Sequence, residues 1–179
     1  ADDANLPCPK AVSILPAFAT YEHILTAVRD TVSETMQAIE QDVNARVRKD
    51  NTYDDRETGE LAWAHFVHQT ARPVDGFAPD PHLHSHCFVF NATWDEAEQK
   101  FKAGQFGDIK RDMPFYQAQF HKRLADKLTH LGYCIRVTPK SFEVKAVPQK
   151  AIDLFSKRTD EIGRVAKEKG CLLYTSGRG

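Results

Sequence analysis

The sequence predicts an α+β domain, an antiparallel sheet covered by helices. One long segment repeats its apolar residues every three or four positions. Two later segments alternate apolar and polar residues. The loops joining successive alternating segments are too short for a helical crossover, so neighbouring strands run antiparallel. The chain has 179 residues, 41% of them hydrophobic and 27% charged, which suits one globular domain with one core. A net charge of -1 gives no global support for a nucleic-acid binder, which neutralises phosphates with Lys and Arg. Lys140 to Lys169 is locally basic, a pattern that usually marks a solvated face.

The elements follow in order. Asp2 to Leu6 is too short to assign alone, and Pro9 suits the first position of a short helix. Ile24, Val28, Val32, Met36, Ile39, Val43 and Val47 form one apolar stripe, which predicts a helix from Tyr21 to Arg48 with Thr20 as its N-cap. Lys49 to Glu60 is polar and reads as a loop. In "LAWAHFVHQT", Leu61, Trp63, His65 and Val67 face one way and Ala62, Ala64, Phe66 and His68 the other, which predicts a strand. "ARPVDGFAPDP" is a loop, and His82 to Thr93 a second strand. Gly104 and Gly107 mark a turn region. A helix is predicted from Pro114 to about Leu131, with Gly132 as its stop. "YCIRVT" and "FEVKAV" form a hairpin, and a last helix starts near Gln149.

The chemistry concentrates in "DPHLHSHCFVFN", Asp80 to Asn91. Residues two apart on a strand share a face, so His82, His84 and His86 project together, with Phe88 and Phe90. Neighbours roughly 7 Å apart lean easily onto one ion at ~2.0–2.1 Å each. A third ligand must come from another strand, and His68 ends the preceding one. Polar residues on a half-solvated strand are the plainer alternative. His82 follows Pro81 at the loop edge and is the bystander. The expectation is therefore an antiparallel sheet carrying a three-histidine metal site, His68, His84 and His86. Imidazoles suit Zn, Mn, Ni, Co or Cu without choosing among them.

"FVHQTARPVDGFAPDPHLHSHCFVFNATWD" resembles the metal-binding segment of the TrwC/TraI-type (MobF) conjugative relaxases of the HUH endonuclease superfamily. That pattern is a His, an Arg-containing loop, Asp-Pro-x-Leu-His-x-His and an apolar strand ending in Asn. Here the positions are His68, Arg72, Asp80-Pro81, Leu83, His84, His86 and Asn91, with a longer loop. "DANLPCPKAVS" resembles the family's Asp-x-Thr-Phe-Ser-x-Pro-Lys-Ser-Val-Ser. It aligns Asp3, Pro9, Lys10, Val12 and Ser13, and departs at Ala11 and at Asn5 to Pro7. "LGYCIRV" and "FSKRTDEI" are also similar to the family, so the likeness covers most of Asp3 to Ile162.

The resemblance implies a cytoplasmic enzyme that nicks single-stranded DNA at an origin of plasmid transfer and later rejoins it, working with relaxosome accessory proteins. A tyrosine attacks the scissile phosphate. A divalent metal (Mg, Mn, Zn or Ni) on His68, His84 and His86 polarises the phosphate oxygens. Asp3 becomes the catalytic carboxylate that assists the phenol and orients a ligand histidine. Lys10 and Arg72 become phosphate contacts, although a surface cap and a loop-anchoring ion pair serve as well. The family's nucleophilic tyrosines lie upstream of "PKAVS". Tyr21 at a helix start, Tyr53 in a polar loop, Tyr116 on a helix and Tyr133 on a strand read as structural, so this chain is expected to bind metal and DNA without cutting.

Residues 1–170 are thus expected to be a partial relaxase domain. "CLLYTS" resembles a translated sequencing adapter, and residues 171–179 are expected to be a non-native tail. Two rivals stand beside this reading. In a histidine-triad nucleotide hydrolase His84 would be the nucleophile, although Ser85 breaks that motif's apolar alternation. A non-catalytic metal- or DNA-binding module is the other. The four cysteines, Cys8, Cys87, Cys134 and Cys171, lack CxxC spacing, which argues against a cysteine zinc site and fits a reducing compartment. No apolar run approaches the ~20 residues of a membrane span and no signal peptide is evident, so no membrane insertion is expected.

Overall fold

The helical stripe and the strand alternation meet in one core. The structure, a computed structural model, describes residues 2–17, 21–49, 52–157, 160–162 and 164. The order is β1 (Asp2–Pro7), α1 (Lys10–Ile14), a 3-10 turn (Leu15–Ala17), α2 (Tyr21–Gln41), β2 (Asn44–Lys49), β3 (Thr52–Glu57), β4 (Trp63–Thr70), β5 (Pro81–Val89), β6 (Thr93–Asp95), β7 (Lys100–Lys102), α3 (Phe106–His130), β8 (Ile135–Val137), β9 (Phe142–Val144) and α4 (Gln149–Leu154). The main sheet is antiparallel, with β5 between β1 and β4. β2–β3, β6–β7 and β8–β9 are separate hairpins.

Alternation sorts the sheet into two faces. Leu6 of β1 and Leu83, Ser85, Cys87 and Val89 of β5 point inward and are buried. Leu6, Leu83, Cys87 and Val89 pack with Ile24, Val28, Val32, Met36 and Ile39 of α2 and with Tyr116, Phe120, Leu124 and Leu128 of α3 in one cluster. The helices therefore cover one face only. The opposite face carries Asp3, Asn5, Ala64, Phe66 and His68, all exposed, beside His84 and His86.

The "PKAVS" segment is built into the second histidine-bearing strand. The Cys8 amide donates to the Leu83 carbonyl at 2.9 Å. Ser13 Oγ accepts from the Leu83 amide at 2.9 Å, and Lys10 Nζ donates to the Pro81 carbonyl at 3.0 Å. Asp80, buried, accepts from both the amide and Nζ of Lys157, at 2.9 and 2.8 Å. Both ends of the Asp80–Leu83 run are thus anchored ahead of His84 and His86.

Several boundaries depart from the sequence reading. α2 ends at Gln41 rather than Arg48, because Val43, Ala45 and Val47 are buried with a period of two, Val43 just before β2 and the other two within it. A spacing of four between Val43 and Val47 satisfies both periods, so the stripe ran on past the true end. Thr20, the predicted N-cap, lies outside the described residues. The polar run after Lys49 holds β3, not only loop. Its strand carries no apolar alternation because Arg56 ties it down instead, reaching the buried Asp95 at 2.7 Å. The strand predicted over His82 to Thr93 breaks after Val89, where the Ala92 amide turns back onto the Phe90 carbonyl, and restarts as β6. α3 begins at Phe106, so Gly107 and Pro114 lie inside it. Pro114 costs the Lys110 carbonyl its helical donor. Burial of Phe106 and Ile109 against the core offsets that cost.

Gly132 closes α3 as the sequence predicts. Its φ is +92°, the Gly132 amide donates to the Thr129 carbonyl and the Tyr133 amide to the Leu128 carbonyl. This is the paired-bond helix stop that a left-handed residue allows. Gly132→Ala should destabilise the domain by about 1 kcal/mol, read as a lower urea midpoint at unchanged slope. Gly104→Ala should also destabilise it, because a Cβ there would lie 3.0 Å from the Phe106 ring. The same denaturation series checks both.

Candidate metal centre

Pairing of β4 with β5 sets His68 directly opposite His84, and His86 follows two residues on along the same face. The three ring centroids form a nearly equilateral triangle: 5.2 Å from His68 to His84, 5.0 Å from His68 to His86 and 5.1 Å from His84 to His86. One nitrogen from each lies within 4.8 Å of the others. Small side-chain rotations suffice to bring three such nitrogens to ~2.0–2.1 Å from one ion. The pairing shifts just beyond His68, between His68 and Thr70, so His68 is the last residue of β4 held squarely against the centre.

Hydrogen bonds select the ligand atoms. His84 Nδ1 lies 2.8 Å from the His82 carbonyl, and His86 Nδ1 lies 2.9 Å from Asp3 Oδ2. Both partners are acceptors, so each Nδ1 carries the proton and each Nε2 keeps its lone pair. A carbonyl or carboxylate behind a ligand histidine fixes ring orientation and raises basicity. Burial, aided by His86 and His68, depresses the His84 pKa against the opposing effect of the His82 carbonyl. The neutral form that a metal requires is therefore favoured. The donor set fits a divalent ion that accepts imidazole nitrogen.

His82 stands outside this trio. Its ring tilts against His84 with centroids 4.6 Å apart, and burial together with His84 and Lys10 pushes its pKa down to about 4. Lys10 is half-buried and anchors Pro81, beside His82; burial lowers its pKa, Asp80 opposes this and Lys157 adds to it. Arg72 is exposed in the β4–β5 loop and makes no ion pair with a described residue. Asp3 is brought to the centre by β1, whose register sets it opposite Phe88, one row from His86.

Two contacts had no sequence signal. His121, buried on α3, sits 2.9 Å from the Pro7 carbonyl through Nε2 and 2.9 Å from Ser141 Oγ through Nδ1. It ties the end of β1 to the β8–β9 hairpin, yet in sequence it is one polar residue on an amphipathic helix. Asp80 stands in the recognised Asp-Pro pair, but its partner Lys157 is 77 residues away. Among the tyrosines, Tyr116 is buried and donates to Asp42 at 2.6 Å; burial first, and then that bond, push its hydroxyl pKa up. Tyr53 lies in β3 rather than in a loop, and Tyr133 forms the α3 stop rather than a strand. β1, β4 and β5, which build the histidine face, contain no tyrosine.

Comparison with known proteins agrees with this geometry. Residues 1–178 match the TrwC relaxase family model. The multifunctional conjugation protein TraI of Escherichia coli K12 is 26% identical over 179 residues, covering 95% of this chain and 10% of TraI. Conjugative relaxase TrwC in complex with oriT DNA, in a metal-bound structure, superposes with a TM-score of 0.87 at 26% identity, covering 98% of this chain and 59% of that one. TrwC with a 27-mer DNA comprising the recognition hairpin and cleavage site gives the same score and identity, covering 61% of that chain. The chain therefore spans about a tenth of the length of TraI and about three-fifths of these TrwC chains. Fold, histidine triangle and family match converge: the chain belongs to the TrwC relaxase family.

Proposed function

We propose that this chain is the metal- and DNA-holding part of a conjugative relaxase, which nicks one DNA strand at an origin of transfer by tyrosine transesterification and later rejoins it. The observation that carries the reading is the triangle of His68, His84 and His86, with two Nδ1 atoms already engaged. TrwC is known in complex with a DNA comprising its recognition hairpin and cleavage site, and in a metal-bound complex with oriT DNA, which supports carrying both DNA and metal to this chain. A divalent cation bound there supplies Lewis-acid polarisation of the scissile phosphate.

The chain's own residues do the remaining work. His68, His84 and His86 hold the ion through imidazole nitrogen. The His82 carbonyl and Asp3 keep the ligand tautomers and ring angles of His84 and His86. Asp3 is exposed, and its second carboxylate oxygen is available to take a proton from an attacking phenol. Arg72, exposed on the adjoining loop, meets a phosphate in this reading. Lys10 steadies the start of β5. The parent protein is expected to act in the cytoplasm with relaxosome accessory proteins. No helix among the described residues is long and apolar enough to cross a membrane. The strands around the centre carry no tyrosine and Tyr116 donates to Asp42 in the core, which supports a chain that holds substrate without cutting it.

Calorimetric titration with Mn²⁺ or Ni²⁺ tests the centre. Asp3→Asn should weaken binding roughly 10- to 100-fold, as removal of an outer-shell partner does. His68→Ala should weaken it further, while His82→Ala, which keeps the backbone carbonyl, should change little. Undiminished affinity in His68→Ala would sink the three-histidine centre. Incubation with single-stranded oligonucleotides and Mn²⁺ should give no covalent protein–DNA adduct on a denaturing gel. A stable adduct would show that a tyrosine of this chain is reactive after all.

A further inference from the structure

The open sheet face does not end at the histidines. Phe66 lies directly across from His86, and Phe88 is the next residue of β5 on that face. Phe66 is 56% exposed, Phe88 42% and Phe90, just past the strand, 57%. Phe66 and Phe88 meet edge to face at 5.7 Å, and the Phe88 ring lies nearly parallel to that of His86 at 6.5 Å. Ala64, opposite Phe88, is exposed and too small to cover it. The strip is contiguous, aromatic and uncovered, and a contiguous exposed apolar patch of this kind marks a binding site.

Charge narrows the occupant. β1, β4 and β5 contain no lysine or arginine, so the sheet offers no side-chain cation to a phosphate backbone beyond the histidine centre. A strand lying along this face must gain its remaining affinity from its bases. Aromatic side chains supply that gain, since every base has a π face to stack. Alternate residues on one strand face stand roughly 7 Å apart. That step leads from the imidazoles to Phe88 as a nucleotide leads from phosphate to base.

We infer that Phe66, Phe88 and Phe90 form a stacking platform for unpaired bases next to the phosphate held at His68, His84 and His86. This rests on the proposed function and adds to it the residues that hold the single strand by its bases.

The test is fluorescence anisotropy with Mn²⁺, comparing a short labelled oligothymidylate with an abasic strand of the same phosphate count. The wild-type chain should bind the thymidylate about 5- to 150-fold more tightly than the abasic strand. Phe66→Ala/Phe88→Ala should bring that ratio close to one while leaving abasic binding intact. Both rings are largely exposed, so truncation spares the core, and Phe88→Trp should retain the preference. Phe115→Ala, an exposed ring on α3 behind the sheet, should leave it unchanged. A preference undiminished in the double variant would overturn the platform but not the metal centre. Equal wild-type affinity for both strands would do the same. Failure of the wild type to bind either strand would overturn the proposed function with it. If the double variant instead turns a dimer into a monomer on sedimentation and keeps its base preference, the patch is a contact between copies and the platform is wrong.

Discussion

The register of β5 between β1 and β4 is the constraint on which the rest of the domain depends. A strand's side chains alternate, so a slip by one residue would exchange its two faces. Leu83, Ser85, Cys87 and Val89 would then meet water, and His84, His86 and Phe88 would enter the core. The correct register is held at several points. Cys8 and Ser13 grip Leu83 by its carbonyl and amide, Lys10 grips Pro81, and Lys157 grips Asp80. These contacts give a physical meaning to the two stretches of sequence that most resemble the relaxases. "PKAVS" and "DPHLHSH" lie far apart in the chain and are neighbours in the fold. One sets the height at which the other presents its imidazoles.

The same strand serves two chemistries because its period is two. Its inner residues merge with the stripe of α2 and the apolar face of α3. Its outer residues stay uncovered, and there β1 contributes Asp3 and β4 contributes His68. None of these needs to be near another in sequence. The histidine cluster with Asp3 is a cross-section of three strands rather than a local motif.

That geometry explains what sequence could and could not reveal. His84 and His86 were legible because strand periodicity put them on one face, and His68 because antiparallel pairing over a short loop returns the chain alongside itself. The separation of His82 from the trio rested on its place at the loop edge and on family likeness; the structure adds that its carbonyl turns toward the ring of His84. The histidine-triad reading gives way to the family match, and the His84 ring angle is set by a carbonyl. β1 was illegible because six residues with one buried apolar side chain carry no pattern of their own; pairing with β5 makes them a strand. β3 was missed because its stability comes from Arg56 and Asp95, an ion pair with no periodicity. The end of α2 was misread because a spacing of four satisfies a helix and a strand equally. Pro114 misled in the other direction, since a proline that usually opens a helix sits well within one.

The bond between Asp80 and Lys157 bears on how the centre comes into being on the ribosome. Synthesis delivers β1, β4 and β5 long before Lys157 emerges, and chains begin to fold from the N-terminal side. A nascent sheet can therefore align its histidines while Asp80 is still hydrated. When the segment after α4 is released, that carboxylate gains Lys157 as a direct partner beside the nearby charge of Lys10, which makes its burial tolerable. A stretch translated later thus closes the loop that leads into β5. Closure of that loop comes late relative to synthesis of the histidines it precedes.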